Sequence, residues 1–419
     1  MSDVRRFHIR TFGCQMNDHD SERIAGLLVA DGMEPTDDPE QADVVVLNTC
    51  CIRENADNKL YGHLGRLRAL KAVRPDLQIA VGGCLAQKDR DLIVERAGHV
   101  DVVFGTHNLA SAPRLLERAR LEGPIVEILE EHEAYPSALP ARRDVDHSAW
   151  VTIQIGCDNS CAFCIVPSVR GKEVSRRLGD VVHEVEELAA DGVREVTLLG
   201  QNVNSYGRDL GAGQYRPRFA DLLRAVDAVD GIDRVRFTSP HPKDLRPETI
   251  AAMAECASVC EHLHLPLQSG SDRTLARMHR GYTAARYLER LAAARAAVPD
   301  LAVTTDVIVG FPGETDDEFA ATLAVVDEAR YDAAFTFVFS PRAGTAAAEM
   351  VDELVPHEIA AARMEQLLAV VERHSLVRHE ARVGRVEDVL VDGPSKKDPG
   401  VLAGRTRQNK LVHLSLIHI

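Results

Sequence analysis

The chain has 419 residues, 45% hydrophobic and 27% charged, which is too long for one compact core and too apolar for disorder, so two or three domains are expected. Its 49 Lys and Arg against 64 Asp and Glu give a formal charge of −15, the wrong sign for a surface that grips nucleic acid everywhere, and any such contact must be local. Nine cysteines, an odd number, with no leader pattern over residues 1–10, argue against a secreted disulfide framework and for reduced thiols in the cytoplasm. No run approaches the ~18 apolar residues of a membrane span.

In chain order, short apolar runs at 7–11, 44–47, 79–81 and 102–104 alternate with helical patterns at 21–31, 58–72 and 89–97. That rhythm predicts a parallel sheet covered on both faces, a first domain over 5–121. Acidic runs with Pro124, Pro136 and Pro140 then read as a linker over 122–142. A second alternation fills 143–375, with strands at 151–155, 195–199, 234–238, 262–267, 303–309 and 335–339. Helical patterns at 180–190, 219–229, 285–297 and 316–329 fall between them. Six β/α units suit a partial TIM-like barrel, with a doubly wound sheet as the alternative. A long helical pattern at 356–380 hands over to a β-branched run at 383–391 and a Gly393-Pro394 turn, which opens a small β domain over 376–419. This last piece holds eight Lys or Arg and five Asp or Glu, 8 − 5 = +3, so the preceding 375 residues carry −18.

Cys157, Cys161 and Cys164 form C-x3-C-x2-C directly after a predicted barrel strand, where barrel active sites are built. Three thiolates on one short loop suit a soft centre, zinc or iron–sulfur. A structural zinc wants a fourth ligand, and the chain has no second C-x2-C pair. A cubane on three cysteines keeps one iron open. Cys14, Cys50 and Cys84 each follow a predicted strand in the first domain. Carboxyl ends of parallel strands face one crevice, so these thiols should converge as a second triad; three buried free cysteines are the other reading. Cys51 is expected to point elsewhere, and Cys256 and Cys260 to share one face of a helical pattern ending at Glu261; all three read as core.

The C-x3-C-x2-C loop, with Phe163 before its last cysteine, resembles the radical S-adenosylmethionine superfamily. The stretches Gly-Cys-Asp-Asn-Ser-Cys-Ala-Phe-Cys-Ile-Val-Pro-Ser-Val-Arg-Gly-Lys-Glu-Val-Ser-Arg-Arg (156–177), Leu-Leu-Gly-Gln-Asn-Val-Asn-Ser-Tyr-Gly (198–207), Leu-Pro-Leu-Gln-Ser-Gly-Ser (265–271) and Val-Gly-Phe-Pro-Gly-Glu-Thr (309–315) are similar to its methylthiotransferases. So are Cys-Gln-Met-Asn (14–17), Asn-Thr-Cys (48–50) and Gly-Gly-Cys (82–84). Ile-Arg-Glu-Asn-Ala (52–56) with Lys-Leu-Tyr-Gly (59–62) looks like the branch that modifies dimethylallyl-adenosine beside the tRNA anticodon. Branches acting on threonylcarbamoyl-adenosine or on a ribosomal-protein aspartate are the alternative. Residues 393–398 and 404–410 resemble the start of that family's RNA-binding TRAM β-barrel. Forty-four residues from Leu376 are short for its five strands, so an incomplete barrel is expected.

This resemblance implies an enzyme carrying two [4Fe-4S] clusters, one per triad, and S-adenosylmethionine. The cluster on Cys157, Cys161 and Cys164 would cleave S-adenosylmethionine to a radical that removes hydrogen from C2 of the adenine. The one on Cys14, Cys50 and Cys84 would supply methylated sulfur to that carbon. Gly310 and Gly313 are candidates for the S-adenosylmethionine pocket, an ordinary strand-to-helix turn being the bland reading, with Gly200, Gln201, Ser239 and Gln268 at other strand ends. Arg170, Lys172, Arg176 and Arg177 form a basic run that would meet RNA phosphates or simply be a solvated face. Lys396, Lys397 and Arg405 are further RNA candidates. The implied partners are tRNA and an electron donor such as flavodoxin, with a monomeric chain in the cytoplasm.

Overall fold

The computed structural model describes residues 4–51, 54–130, 139–143, 145–211 and 218–415. The chain forms two compact units, the first holding 1–144 with 155–159 and 164–174, the second holding 145–154, 160–163 and 175–419.

In the first unit six parallel strands run in the spatial order Glu34–Pro35, Arg6–Thr11, Val44–Thr49, Gln78–Gly83, Val102–Phe104, Ile125–Glu127. Val44–Thr49 and Gln78–Gly83 are buried at every position, as strands covered on both faces must be. Alternation divides the core: Val44 and Val46 pack with Ile24, Leu28, Leu115 and Leu116, while Val45, Leu47, Ile79 and Val81 pack with Leu60, Leu64, Leu85 and Ile93. Each such side chain is worth roughly 1.5–3 kcal/mol of burial. Strand order reverses between Arg6–Thr11 and Val44–Thr49, and the crevice outside the carboxyl ends at such a switch point is where open α/β sheets bind ligands.

Three boundaries differ from the sequence reading. The first helix is Gln15–Ala30, starting six residues before the predicted 21, because Asn17, His19 and Asp20 in its first turns are buried polar groups that no apolar periodicity reveals. The expected helix at 89–97 is two pieces, Cys84–Asp89 and Asp91–Arg96, broken at Arg90 with φ 49°. The stretch read as linker carries the last residue of helix Ala112–Glu122 and the sixth strand, Ile125–Glu127; Pro136 lies outside the described residues.

In the second unit strands Ser148–Thr152, Glu195–Leu199 and Arg234–Phe237 form one parallel sheet, and His262–His264, Ala302–Val309 and Ala333–Val338 another. An isolated parallel bridge links Val235 of the first sheet to Val259, in the segment that leads into His262–His264. Strands follow one another in sequence order, as in a TIM-like barrel and unlike a doubly wound sheet. Ser148–Thr152 and Ala333–Val338 are the outer strands, and no closed barrel exists among the described residues. Val151, Leu198, Val235, Leu263, Val303 and Val307 share a core with Val185, Leu223, Leu291, Val326 and Leu367 of the helices. The opposite face is polar and aromatic: Trp150, Thr197 and Arg236 stand in register, as do Asp306 and Phe335. Helix Pro247–Glu255 ends before Cys256, so Cys256 and Cys260 are not on one helical face, although both are buried.

Helix His357–Glu380 runs through the expected boundary at 376. Beyond it, Val389–Pro394, Val401–Thr406 and Leu411–Ser415 make a three-stranded antiparallel sheet. The first strand starts at 389 rather than 383, since Val383 and Val386 face solvent. The turn after Val401–Thr406 is bound to the barrel strands. Arg236 donates from Nη2 to the Thr406 carbonyl at 2.8 Å and from Nη1 to that of Arg407 at 2.9 Å, and Arg234 donates to the Arg405 carbonyl at 2.7 Å. Arg407 pairs with Glu261 at 2.8 Å and Lys410 with Asp332 at 2.7 Å. Glu261 and Asp332 each immediately precede a barrel strand, so residues 405–410 floor the amino-terminal end of the open barrel.

Candidate metal centres

At the carboxyl edge of the first sheet, chain geometry gathers the thiols. Cys14 caps helix Gln15–Ala30, its carbonyl accepting from the N–H groups of Asn17 at 2.8 Å and Asp18 at 3.1 Å. Cys50 directly follows Val44–Thr49, and Cys84 follows Gln78–Gly83. Gly13, at φ +139°, lies so close to Cys50 that a Cβ there would stand 2.4 Å from the Cys50 Cβ; only glycine lets these two segments approach. The Asn17 Oδ1 accepts from Cys14 Sγ at 3.7 Å and Cys84 Sγ at 3.9 Å. Asn48 fixes that carboxamide's helix by donating from Nδ2 to the Asn17 carbonyl at 2.8 Å and to Ser21 Oγ at 2.9 Å. Among the described residues no three His, Cys, Asp or Glu side chains stand in ligating geometry; the sulfurs are gathered instead through hydrogen bonds.

Charge at this edge favours thiolates. A hydrogen bond from Cys50 is the largest influence on the Cys14 thiol; with Arg170 and the helix N–H groups it outweighs burial and lowers the thiol to about 6. Cys84 is lowered too, chiefly by a hydrogen bond from Cys51, which is itself held well above the usual thiol range by that contact and by burial. Cys51 therefore sits beside Cys84 within the core, not turned away from it. A compact donor set of soft thiolates, a glycine-enforced close approach and a nearby buried cation fit a sulfur-ligated iron cluster.

Two expected RNA contacts are not on the surface. Arg170 is buried, pairing with Asp20 at 2.7 Å and donating to Asn17 Oδ1 at 3.4 Å. Arg176 is also buried, donating to the Thr152 carbonyl at 3.0 Å and pairing with Glu184. Both guanidiniums are used internally, so neither meets phosphate; Lys172 and Arg177 of the same run are more accessible. Lys396, Lys397 and Arg405 are exposed on the C-terminal strands and their connections.

Cys157, Cys161 and Cys164 are half-buried thiols on the irregular stretch 156–165. The Cys157 N–H donates to the Gly171 carbonyl at 3.1 Å. Cys161 Sγ accepts from Nη1 of the buried Arg280 at 3.3 Å, and Arg280 Nε in turn donates to Tyr282 Oη at 3.3 Å. Neither Arg280 nor Tyr282 carries a sequence signal, since each is a lone polar residue 119 or more positions from the thiol. His241 stacks edge-on against Tyr282, ring centroids 5.7 Å apart, and its Nδ1 accepts from the Lys243 N–H at 3.2 Å.

Burial, reinforced by Arg280 and Lys243, lowers His241 to about 2. An unfolded histidine takes its proton near 6.5, so the neutral ring contributes full stability above that pH and loses it as pH falls toward 2, by up to ~1.4 kcal/mol per pH unit. In carbon-13 histidine spectra at about pH 5, His241 is expected to keep a neutral ring, and a protonated signature would refute this.

The candidates for S-adenosylmethionine lie after successive barrel strands. Ser239 and Gln268 have φ of 59° and 68°, uncommon for residues with a side chain and typical of functional turns. Buried oxygens of Thr152, Gln154, Gln201 and Asn202 at the ends of the first two strands have no hydrogen-bond partner among the described residues. Of these only Gln201 was expected from the sequence. Unpaired acceptors fit a ligand rich in N–H donors. The Gly310 N–H donates to Glu314 Oε2 at 2.8 Å, and a Cβ on Gly310 would stand 3.0 Å from Ala360 Cβ of helix His357–Glu380; a Cβ on Gly313 would stand 2.7 Å from Glu353 Oε2.

Residues 6–105 match the uncharacterized protein family UPF0004, and residues 151–326 match the Radical SAM superfamily. The tRNA-2-methylthio-N(6)-dimethylallyladenosine synthase of Acidothermus cellulolyticus is 57% identical over 413 residues, 98% of this chain and 82% of that relative. That of Thermobifida fusca is 54% identical over 99% of this chain and 84% of its own. The chain belongs to this synthase family. Among solved structures, the radical S-adenosylmethionine methyltransferase TsrM from Kitasatospora setae aligns over 82% of this synthase-family chain and 77% of its own with a TM-score of 0.57 and 14% identity, a likeness of fold.

Proposed function

We propose that this member of the synthase family methylthiolates C2 of N6-(dimethylallyl)adenosine next to the anticodon of tRNA, using radical S-adenosylmethionine chemistry. The observation that carries the reading is the gathering of Cys14, Cys50 and Cys84 at the switch point of the first sheet. It supplies a second thiolate site in addition to the C-x3-C-x2-C loop, and the synthase names of near-full-length relatives favour this substrate over threonylcarbamoyl-adenosine or a ribosomal-protein aspartate.

In this reading Cys157, Cys161 and Cys164 hold one [4Fe-4S] cluster and Cys14, Cys50 and Cys84 the other. When bound, the first supplies the electron that cleaves S-adenosylmethionine and the second supplies sulfur. The chain's own residues position and shield. Ser239, Gln268, Gln201 and Gly200 line the strand ends where S-adenosylmethionine would lie, with the unpaired oxygens of Thr152, Gln154 and Asn202 as acceptors. Arg280 fixes the position of Cys161 by a hydrogen bond from Nη1 to its Sγ. Exposed Lys396, Lys397 and Arg405 meet tRNA phosphates, and the target base, in a single-stranded loop, is splayed out for reaction.

A flavodoxin-type protein is the proposed electron donor, and the working form is a cytoplasmic monomer. No helix among the described residues is long and apolar enough to cross a membrane. The test is nucleoside mass spectrometry of tRNA from a deletion strain, before and after return of the gene. Loss and restoration of the 2-methylthio group is expected; persistence in the deletion strain would overturn the substrate assignment.

A further inference from the structure

The Arg170–Asp20 pair is deeply buried in the first unit, its side chains 5% and 2% exposed. As a stabilising device it is a poor choice, because desolvating two charges costs about as much as their attraction returns, and an apolar pair of similar volume often serves as well. Its position is informative. Arg170 ends the short helix Val166–Arg170, whose Val169, with Ile165 just before it, packs in the same core as Cys84 and Phe12. The Thr106 hydroxyl holds the Val169 carbonyl from the other side. The guanidinium thus reaches the carboxyl edge of the first sheet on a rigid support, and there it donates to the same Asn17 Oδ1 that accepts from Cys14 and Cys84.

We propose that Arg170, oriented by Asp20, is the positioning residue of the centre on Cys14, Cys50 and Cys84, placing a permanent positive charge beside its thiolates. The proposal rests on the reading of those cysteines as cluster ligands. Three thiolates on a four-iron core leave net negative charge, which grows on reduction, and a buried cation offsets both. Burial opposes the charge on Arg170, yet Asp20, Cys84 and Cys14 together keep it protonated. Asp20 acts conversely, holding the guanidinium in place while moderating the charge the sulfurs experience. Arg170 lies six residues after Cys164, so the segment that bears the radical triad also supplies the cation of the other site.

The test uses the full chain, reconstituted anaerobically, and compares Arg170→Gln, Arg170→Lys, Asp20→Asn and the double variant R170M/D20N with the parent. Iron per chain, its loss to a chelator and the midpoint potential by spectroscopic redox titration are the readouts, the signal being assigned by its absence in a chain with Cys14, Cys50 and Cys84 replaced by Ala. Arg170→Gln is expected to lower the midpoint potential and speed iron loss about tenfold. Asp20→Asn should raise the potential, Arg170→Lys should restore it most of the way, and R170M/D20N, which removes both charges together, should fold and still fall below the parent. General structural damage would not move Asp20→Asn and Arg170→Gln in opposite directions. Unchanged potentials in all four variants with full iron would overturn the role of Arg170. Equal iron in the parent and in the three-alanine chain would instead overturn the cluster reading beneath it.

Discussion

Replacing Cys14, Cys50 and Cys84 together by Ala is expected to reduce bound iron from about eight to about four per chain, if each triad holds a four-iron cluster. Methylthiolated tRNA should fall below detection while reductive cleavage of S-adenosylmethionine continues. The reason is the division of labour between two thiol sets on different loops: one follows the first strand of the barrel, the other three separate strands of the first sheet. The matching replacement of Cys157, Cys161 and Cys164 should leave a similar quantity of iron but no cleavage. Methylthiolation retained without the first triad would refute its sulfur-donor role. Measuring iron and cleavage in the same preparations separates loss of a site from loss of the fold.

Arg236→Ala should destabilise the second unit by about 3 kcal/mol, because it leaves the buried Glu195 with only the 3.9 Å contact to Arg234, removes the donor to the Arg407 carbonyl and leaves the Thr406 carbonyl with the Asn409 N–H alone. For a unit of this size that corresponds to a melting temperature lower by roughly 6–12 °C. The loss should also be local, so limited proteolysis is expected to cut first between residues 383 and 410. A variant whose C-terminal strands stay as protected as the parent's would show that the turn is held by something other than Arg236. Arg407→Ala, acting on the same turn through Glu261 and the carbonyls of Ala257 and Val259, should produce the same cleavage pattern.

The two alternating series of strands and helices were legible because buried strands are apolar and short, and Glu195–Leu199, Val102–Phe104 and Asp316–Ala329 fall at the expected residues. What escaped is polar and buried. The first turns of Gln15–Ala30 carry Asn17 and Asp20, which face the sulfurs instead of an apolar core, and so gave no periodic signal. Arg170 and Arg176 looked like a solvent-facing run because sequence reports charge but not which neighbour neutralises it; here the neighbours are Asp20 and Glu184, 150 and 8 residues away. That Cys14, Cys50 and Cys84 each follow a strand of the first sheet could be anticipated from the strand ends alone. The residues around the thiols are less legible: Asn17 is three positions from Cys14 but 67 from Cys84, Asn48 reaches Asn17 across 31, and Arg280 reaches Cys161 of the other set across 119, contacts visible only once the chain is folded. The motif 52–56 was legible as family resemblance, yet Ile52 and Arg53 lie outside the described residues.

The floor laid by residues 405–410 has a consequence for the order in which the molecule is built. Arg234 and Arg236 emerge during synthesis some 170 residues before the carbonyls they bind. Until then Glu195 faces both guanidiniums, but the N–H groups that the turn carbonyls take have no protein acceptor there, so the lower end of the nascent barrel cannot settle before residues 405–410 are made. Closing so long a loop late is slow, and the incomplete barrel is exposed to misassembly meanwhile. The second unit therefore should not finish folding strand by strand during translation, but in one late step set by the arrival of the C-terminal turn.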